Sequence, residues 1–228
     1  MFVQPVETTF NQPIVEWRDF APHATPLFAF APEVLGTSFN YARDEEIYGE
    51  GEDAQFVYKI VTGAVRTIKI MRDGRRQIGR FYLPGEFLGL ERGEQHHMTA
   101  EAVTDSKILL FKRRQVEALA HRNMDAAREM WLVTADHLRH AEDHLLLLGR
   151  KTALERLAAF LIEMDIGHGS SGLFELPMSR RDIADYLGLT LETVSRGFSE
   201  FQKKRALELS GARHVDLRNR ALLNAMGA

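Results

Sequence analysis

The stretch RRDIADYLGLTLETVSR, residues 180–196, constrains the fold of this chain more than any other feature. Ser179 and Asp182 have the spacing of a capping box, with Asp in place of the usual Glu, so a helix is predicted to begin directly after Ser179. Gly188 supplies a turn, and Thr190 can cap a second helix. Two short amphipathic helices joined by a single glycine turn predict a helix-turn-helix.

The second of these helices has one apolar and one polar face. Its apolar residues are Val194, Phe198 and Phe201. Glu192, Ser195 and Arg196 follow the i, i+3, i+4 spacing and therefore share a face near the N-terminus. In helix-turn-helix proteins this end enters the major groove, where Arg matches guanine, Glu accepts from cytosine and Ser bonds a base or a phosphate. We therefore expect these three side chains to read DNA bases; the alternative is a solvated polar face on an ordinary helical hairpin.

Basic residues and a predicted hairpin follow this helix. Ala206 to Leu209 and Arg213 to Leu217 predict a β-hairpin, which is typical of the wing of a winged helix. Residues 149–228 contain 12 Lys and Arg against 10 Asp and Glu, whereas residues 1–148 contain 17 against 22, so the C-terminal third is better suited to a polyanion. Candidate contacts to the DNA backbone are Arg180, Thr190, Thr193, Lys203, Lys204, Arg213 and His214. Such contacts predict binding that weakens steeply with salt; a plain solvated surface is the alternative.

The part of the chain before these helices consists of short β-rich runs. Between about residues 39 and 112 they read FVYKIV, AVRTIKIM, RQIGRFYL, MTAEAV and KILLF, with glycine-bearing turns between them. Asp73-Gly74 between two such runs is a strong hairpin signal, and regular short strands without intervening helices predict an antiparallel barrel or roll. The basic loop 72–76 is predicted to be a plain turn, with a polymerase contact as the alternative. Residues 1–26 hold four of the seven prolines and show no sustained period, so they are predicted to be an irregular extension.

Residues 124–148 contain neither Gly nor Pro and show a heptad pattern. The a and d positions are Ala127, Trp131, Thr134, Leu138, Ala141, Leu145 and Leu148. These heptads predict a two-stranded seam between subunits, because the small d residues let two helices approach closely; the alternative is a long helix lying on its own barrel. Gly149 is predicted to end this helix, and Thr152 with Glu155 forms a capping box that starts the next one. The predicted parts are the extension (1–26), a sensor-like β-roll (27–123), a dimerisation helix (124–148) and a DNA-binding domain (149–228).

Together these features resemble the CRP/FNR superfamily of bacterial transcription regulators, and most closely its FixK-type members. The resemblance is carried by residues 180–196, the capped helix before them, the heptad helix and the glycine spacing of the β-roll, and it covers nearly the whole chain from about Leu27. It implies an α+β fold: an N-terminal antiparallel β-roll similar to cyclic-nucleotide-binding domains, a long dimerisation helix and a C-terminal winged helix-turn-helix.

The resemblance also implies a function. Glu192-Thr193-Val194-Ser195-Arg196 resembles the FNR-type recognition signature, in which the equivalents of Glu192, Ser195 and Arg196 read a TTGAT half-site. It implies a homodimer that binds double-stranded DNA at a palindromic operator whose half-sites lie roughly 34 Å apart. Members of this group usually activate transcription by touching RNA polymerase, so RNA polymerase is an expected partner.

Departures from the superfamily concern the effector. Its cyclic-nucleotide binders have a Glu after the Gly of a Phe-x-Gly-Glu motif and an Arg-Ser pair downstream, whereas this chain has Phe87-Leu88-Gly89-Leu90 and His96-His97. An uncompensated phosphate in a Leu-lined pocket is costly, so we expect no cyclic-nucleotide effector and no cofactor. The chain has no cysteine and therefore lacks the cysteine cluster through which FNR senses oxygen. A regulator of the same fold gated by a cyclic nucleotide or haem is the alternative.

Other polar clusters do not predict an active site. The heptad places three histidines at g and c positions, on flanks expected to be open to water: His137, His140 and His144. Adjacent strand residues point to opposite faces, so His96 and His97 cannot readily share an ion, which weighs against a cupin-type metal enzyme, the alternative from another class. Gly49-Glu50-Gly51-Glu52 is predicted to be a turn between strands. We expect no catalytic residue, no metal and no membrane segment, and place the protein in the cytoplasm.

Overall fold

The structure, a computed structural model, describes residues 36–227, and the predicted extension 1–26 lies outside them. The described residues begin with a β-roll built from two four-stranded antiparallel sheets. The strands are β1 (Thr37–Tyr41), β2 (Glu46–Tyr48), β3 (Phe56–Thr62), β4 (Val65–Ile70), β5 (Arg76–Tyr82), β6 (Phe87–Leu88), β7 (Thr99–Ala102) and β8 (Ser106–Lys112). Their order is β1-β8-β3-β6 in one sheet and β2-β7-β4-β5 in the other.

Both sheets contribute to the interior of the β-roll. Ile60, Val65, Leu88, Ala100 and Ile108 are buried there in one hydrophobic cluster. The predicted runs correspond to β3, β4, β5, β7 and β8. The strands β1, β2 and β6 were not predicted, because β1 is mostly exposed and the other two are only three and two residues long.

Two of the predicted turns are confirmed. Asp73-Gly74 connects β4 to β5, and Gly74 has a φ of 81°, a left-handed conformation that glycine adopts without strain. The segment from Gly49 to Glu52 connects β2 to β3, where the N–H of Gly49 donates to Oε2 of Glu52 at 3.1 Å.

Two helices follow the β-roll, α1 (Arg113–Arg122) and α2 (Met124–Arg150). Asn123 caps α2, since its side-chain oxygen accepts from the N–H groups of Asp125 at 2.9 Å and Ala126 at 3.1 Å. The helix α1 was not predicted, and α2 continues past Gly149 rather than ending there. At 1.5 Å per residue, α2 is about 40 Å long. None of the described helices, α2 included, is both long and apolar enough to cross a membrane.

The c and g positions of α2 pack against the rest of the chain, so the prediction that their histidines face water is wrong. These histidines are His137, His140 and His144. The first packs edge-on against the ring of Tyr82 at a centroid distance of 5.9 Å, the second has Nε2 2.9 Å from Oε1 of Glu163, and the third stacks on Tyr186 at 4.2 Å. The heptad pattern identifies the seam of a coiled coil but does not say what covers the flanks of the helix.

The C-terminal part forms a helical domain with a small sheet. Its elements are α3 (Ala153–Gly167), β9 (Leu173–Glu175), α4 (Arg180–Leu187), α5 (Leu191–Lys203), β10 (Leu207–Ser210), β11 (His214–Leu217) and α6 (Arg220–Gly227). Within the described chain the three strands pair in the order β10-β11-β9. The predicted capping box of α3 is confirmed, because the N–H of Thr152 donates to Oε2 of Glu155 at 2.7 Å. The sequence reasoning did not predict β9 or α6.

The β-roll and the C-terminal domain share one hydrophobic cluster. Ile78 and Phe81 of β5 belong to it together with Phe160 of α3 and Tyr186 of α4. The Phe81 ring lies 5.3 Å from the ring of Tyr186 and 6.3 Å from that of Phe160. The C-terminal domain is therefore packed directly onto the sheet that contains β4 and β5.

Candidate nucleic-acid interface

The helix α4 begins at a closed capping box. The N–H of Asp182 donates to Oγ of Ser179 at 3.1 Å, and the N–H of Ser179 donates to Oδ2 of Asp182 at 3.0 Å. The Ser179 hydroxyl donates to the same Oδ2 at 2.7 Å. Ile183 and Leu187 are fully buried beneath this first helix. The predicted cap, and the predicted start of the helix at Arg180, are confirmed.

Gly188 turns the chain from α4 into α5. It has φ 62° and ψ 40°, and its N–H donates to the carbonyl of Ala184, as expected of a left-handed residue that ends a helix. Thr190 then caps α5, since its Oγ1 accepts from the N–H of Thr193 at 3.2 Å. The predicted helix-turn-helix is therefore present, with the predicted glycine at its turn.

The two faces of α5 are as the sequence predicted. Its buried residues include Val194, Phe198 and Phe201. The side chains of Glu192, Ser195 and Arg196 are exposed on the opposite face, close to the N-terminus of the helix. These three side chains, which we call the recognition triad, are thus free to meet a ligand outside the protein.

The candidate phosphate contacts are spread around α5. Thr190 and Thr193 lie beside the recognition triad, and their hydroxyl oxygens are 3.0 Å apart. Lys203 and Lys204 are exposed at the other end of α5, and Lys203 lies about 10 Å along the helix axis from Arg196. Lys204 also lies 3.4 Å from Oε1 of Glu200. The two threonines are therefore nearer to the triad than the two lysines are.

The two arginines that begin α4 differ in their surroundings. The guanidinium of Arg180 lies 3.3 Å from the centroid of the Phe198 ring, and burial lowers its pKa to about 10. Arg181 is exposed. The Glu192 carboxyl has a lowered pKa, mainly through a hydrogen bond from its own backbone N–H, and the charge of Arg181 contributes. Sequence reasoning named Arg180 and missed Arg181, although both follow the cap directly.

The predicted wing is confirmed as the hairpin of β10 and β11, and β9 adds a third strand. Gly211 at its tip has a φ of 73°. Arg213 is half-buried, whereas His214 is exposed, with Nε2 3.6 Å from Oε2 of Glu175. The wing therefore presents His214 more openly than Arg213.

The a and d positions of α2 form an apolar stripe on the surface of the described chain. Trp131 is 70% exposed, Leu138 60% and Leu145 70%. Of the smaller or flanking residues, Thr134 and Ala141 are exposed and Ala127 and Leu148 are half-buried. Burying a large apolar side chain contributes roughly 1.5–3 kcal/mol, so this stripe is costly to leave in water.

Aromatic rings fill the interior of the β-roll around His96. Its side chain is 1% exposed, and its ring stacks on Tyr48 at 3.6 Å and lies 6.1 Å from the ring of Tyr58. Nδ1 of His96 contacts Oε1 of Glu91. His97 is exposed, so the two adjacent histidines lie in different environments; both precede β7, so the predicted placement on a strand is wrong.

Arg113, the first residue of α1, holds the loop that follows β6. Its guanidinium donates to the main-chain oxygens of Gly89 at 2.9 Å, Glu91 at 2.7 Å and Gly93 at 2.6 Å. Leu90 in this loop packs against a hydrophobic cluster that includes residues of α1. The guanidinium of Arg113 therefore holds the main chain of this loop in place.

Comparisons with known proteins match both halves of the chain. The model of the Crp-like helix-turn-helix domain matches residues 155–226, and that of the cyclic nucleotide-binding domain matches residues 38–123. The nitrogen fixation regulation protein FixK of Azorhizobium caulinodans is 42% identical over 84% of this chain and 79% of its own length. FixK of Rhizobium meliloti is 38% identical over 86% and 88%. The structure of FixK2 from Bradyrhizobium japonicum is 55% identical with a TM-score of 0.83, covering 86% of this chain and 98% of that one.

Proposed function

This chain is a DNA-binding transcription activator that belongs to the CRP/FNR family, and we propose that it binds palindromic DNA with TTGAT half-sites as a homodimer. The observation that carries this proposal is the exposed recognition triad on a capped, glycine-turned helix, in a chain that also exposes an apolar heptad stripe. The enzyme alternative is set aside, because the close relatives are transcription regulators. We place its action in the cytoplasm, with RNA polymerase as the partner contacted at a promoter.

Base reading is assigned to Glu192, Ser195 and Arg196. Their exposure at the N-terminal end of α5 supports this role, because that end of a recognition helix approaches the base edges. An Arg suits guanine and a Glu suits the amino group of cytosine, and each good contact provides roughly 1–3 kcal/mol of discrimination.

Backbone contacts are assigned to the residues around the triad. Thr190 and Thr193 lie nearest to it, and Arg181 joins them as an exposed cation at the start of α4. The remaining candidates are Lys203 and Lys204 at the other end of α5 and Arg213 and His214 of the wing. Arg180 is the weakest candidate, since its guanidinium is already stacked on Phe198.

The homodimer is proposed to form through α2. Trp131, Leu138 and Leu145 are exposed along one side of a 27-residue helix whose other side packs on its own chain. The heptad spacing suits a two-stranded coiled coil with a second copy of α2. Two copies of α5 related by a two-fold axis would then face two half-sites of a palindrome.

We propose that no cyclic nucleotide is required. The stacking of His96 on Tyr48 and the closure of the loop by Arg113 support this proposal, because His96 and Gly89 lie in the two segments that stand in place of the family's cyclic-nucleotide motifs. The charged residues that line the cavity beside the loop are Glu50, Asp53, Glu94 and Lys69, with His96 and His97, and Lys69 already pairs with Glu50 at 2.6 Å. Acidic walls repel a phosphate.

The test is a binding measurement by fluorescence anisotropy on a duplex with two TTGAT half-sites and on a random duplex. The wild-type chain should prefer the palindrome with and without cyclic AMP. Arg196→Ala should lose about tenfold to a hundredfold in affinity per half-site while weak binding to random DNA persists. Lys203→Ala is the matched control, because loss of a phosphate contact weakens binding to both duplexes alike.

Two results would contradict the proposal. If Arg196→Ala weakened both duplexes equally, Arg196 would not read a base. If cyclic AMP bound in calorimetry and was needed for specific binding, the ligand-gated alternative would hold.

A further inference from the structure

Two arginines of the β-roll reach the first helix of the helix-turn-helix. Nη1 of Arg66 on β4 donates to Oδ1 of Asp182 at 3.2 Å. Nη2 of Arg76 on β5 donates to the same oxygen at 2.5 Å, and its Nε donates to Oδ2 of Asp185 at 2.9 Å. We call these four residues the ionic latch. It joins side chains that are more than 100 positions apart in the sequence.

The central pair of the latch is buried. The side chains of Arg66 and Asp182 are each 7% exposed. Arg66 has further partners on the β-roll side, namely Glu101 at 2.7 Å and Asp44 at 3.0 Å. Separating a buried ion pair leaves an uncompensated charge in the interior, which is costly. The contact between Arg66 and Asp182 is therefore strongly favoured.

Asp182 also belongs to the N-terminus of α4. Its Oδ2 closes the capping box with Ser179 while its Oδ1 accepts from both arginines. One carboxylate therefore ties the first turn of α4 to the sheet of the β-roll. Further along, Nε2 of Gln77 donates to the carbonyl of Tyr186 at 3.3 Å, so the contact continues to the end of α4.

We propose that Arg66 and Arg76 are positioning residues for DNA binding: they hold α4 on the β-roll and thereby fix the direction in which α5 presents the recognition triad. In a dimer, this orientation sets the separation of the two recognition helices, so the spacing of the half-sites is selected without a ligand. The inference rests on the proposed dimeric binding to a palindrome.

A positioning role and a merely stabilising role have different effects on the affinity for a palindrome and for a single half-site. Within one domain the triad and its cap stay intact, so affinity for a single half-site should be kept. Simultaneous contact with two half-sites requires the correct separation, so affinity for the palindrome should fall.

Arg76→Ala is the main variant, because Arg76 is at the edge of the latch and 24% exposed. Asp185→Asn is a second variant that removes the other half of the same pair. Arg75→Ala is the matched control, since Arg75 is the neighbouring arginine and its guanidinium contacts Asp73 in the exposed turn.

The DNA readout uses anisotropy on the palindrome, on palindromes with one base pair added or removed between half-sites, and on a single half-site. Both latch variants should lose at least about tenfold, or about 1.4 kcal/mol, on the palindrome. They should discriminate less between spacings and change less than about twofold on the half-site, while Arg75→Ala should behave as wild type. Equal losses on the palindrome and the half-site would overturn the proposal.

A second readout does not depend on DNA. The chain has no cysteine, so Lys107→Cys on β8 and Gln202→Cys on α5, both at exposed positions, can carry a pair of spin labels. In labelled protein diluted with unlabelled protein, the distance distribution should be narrow for wild type and Arg75→Ala and broad for Arg76→Ala and Asp185→Asn. If both latch variants gave the wild-type distance distribution, the inference would be overturned. This outcome does not depend on whether the proposed binding to a palindrome is correct.

Discussion

At the scale of single residues, Asp182 serves two purposes with its two oxygens. Burial raises the pKa of its carboxyl, but hydrogen bonds from Ser179 and the charges of Arg66 and Arg76 outweigh burial, so the pKa is lowered. A carboxyl with a lowered pKa in the folded chain stabilises it fully above its unfolded pKa of about 4, and this contribution is lost as the pH falls through the folded value. The cap and the latch are therefore both intact at neutral pH.

Ser179→Ala should destabilise the protein by about 1 kcal/mol, because α4 loses the oxygen that accepts from its third N–H. The measurement is the free energy of unfolding in urea. Ser195→Ala is the control, since Ser195 is exposed on the recognition face and its removal should change stability by less than about 0.5 kcal/mol. If Ser179→Ala changed the free energy of unfolding as little as Ser195→Ala does, the cap would not be stabilising.

At the scale of elements, α2 connects two different environments. Its c and g positions pack against the β-roll and the C-terminal domain, as the burial of Ala126 and Leu147 shows. Its exposed a and d positions, from Trp131 to Leu145, form the stripe assigned to a second subunit, whereas Leu148 packs against the hydrophobic cluster of the C-terminal domain. One side of α2 therefore lies on its own chain, as the alternative interpretation expected, and the opposite side is the one proposed to form the dimer seam.

Leu138→Glu should convert the dimer to monomers at micromolar concentration, because it places two charges against each other at an a position in the middle of the seam. Sedimentation equilibrium measures the outcome, and specific DNA binding should fall with it. Asp143→Ala, at an exposed f position, should leave the dimer intact. A wild-type chain that sediments as a monomer would remove the basis of the proposed interface.

At the scale of the whole molecule, the β-roll and the C-terminal domain both pack against α2. His137 touches Tyr82 of the β-roll, and His144 stacks on Tyr186 of the helix-turn-helix. Burial is the main cause that lowers the pKa of His137, to about 3, and burial also lowers the pKa of His144. The unfolded chain therefore binds more protons than the folded chain below about pH 6.5, so stability should decrease as the pH falls.

His137→Gln should make unfolding less sensitive to acid. The slope of the free energy of unfolding against pH should decrease by up to about 1.4 kcal/mol per pH unit between roughly pH 5.5 and 4, because one proton uptake on unfolding is removed. Urea unfolding at a series of pH values measures this slope, and His121→Gln, at an exposed position, is the matched control. The prediction fails if both variants keep the wild-type slope.

Much of the candidate site was predictable because its signals are local. The spacing of Ser179 and Asp182, the glycine at position 188 and the alternation of faces on α5 are properties of neighbouring residues, and each is present in the structure. The Asp73-Gly74 hairpin and the wing were predictable for the same reason. Short or exposed elements such as β1, β6 and β9 gave no such pattern.

The tertiary structure decided what these local elements touch. Nothing in the sequence pattern indicates that Arg66 pairs with Asp182, 116 positions away, or that His137 and His144 lie against tyrosines of two different domains. Backbone geometry over a few residues determines helices, caps and turns, and it therefore can be read from sequence spacing. Contacts between distant segments depend on how complete surfaces pack, so the position of the helix-turn-helix on the β-roll could be known only from the tertiary structure.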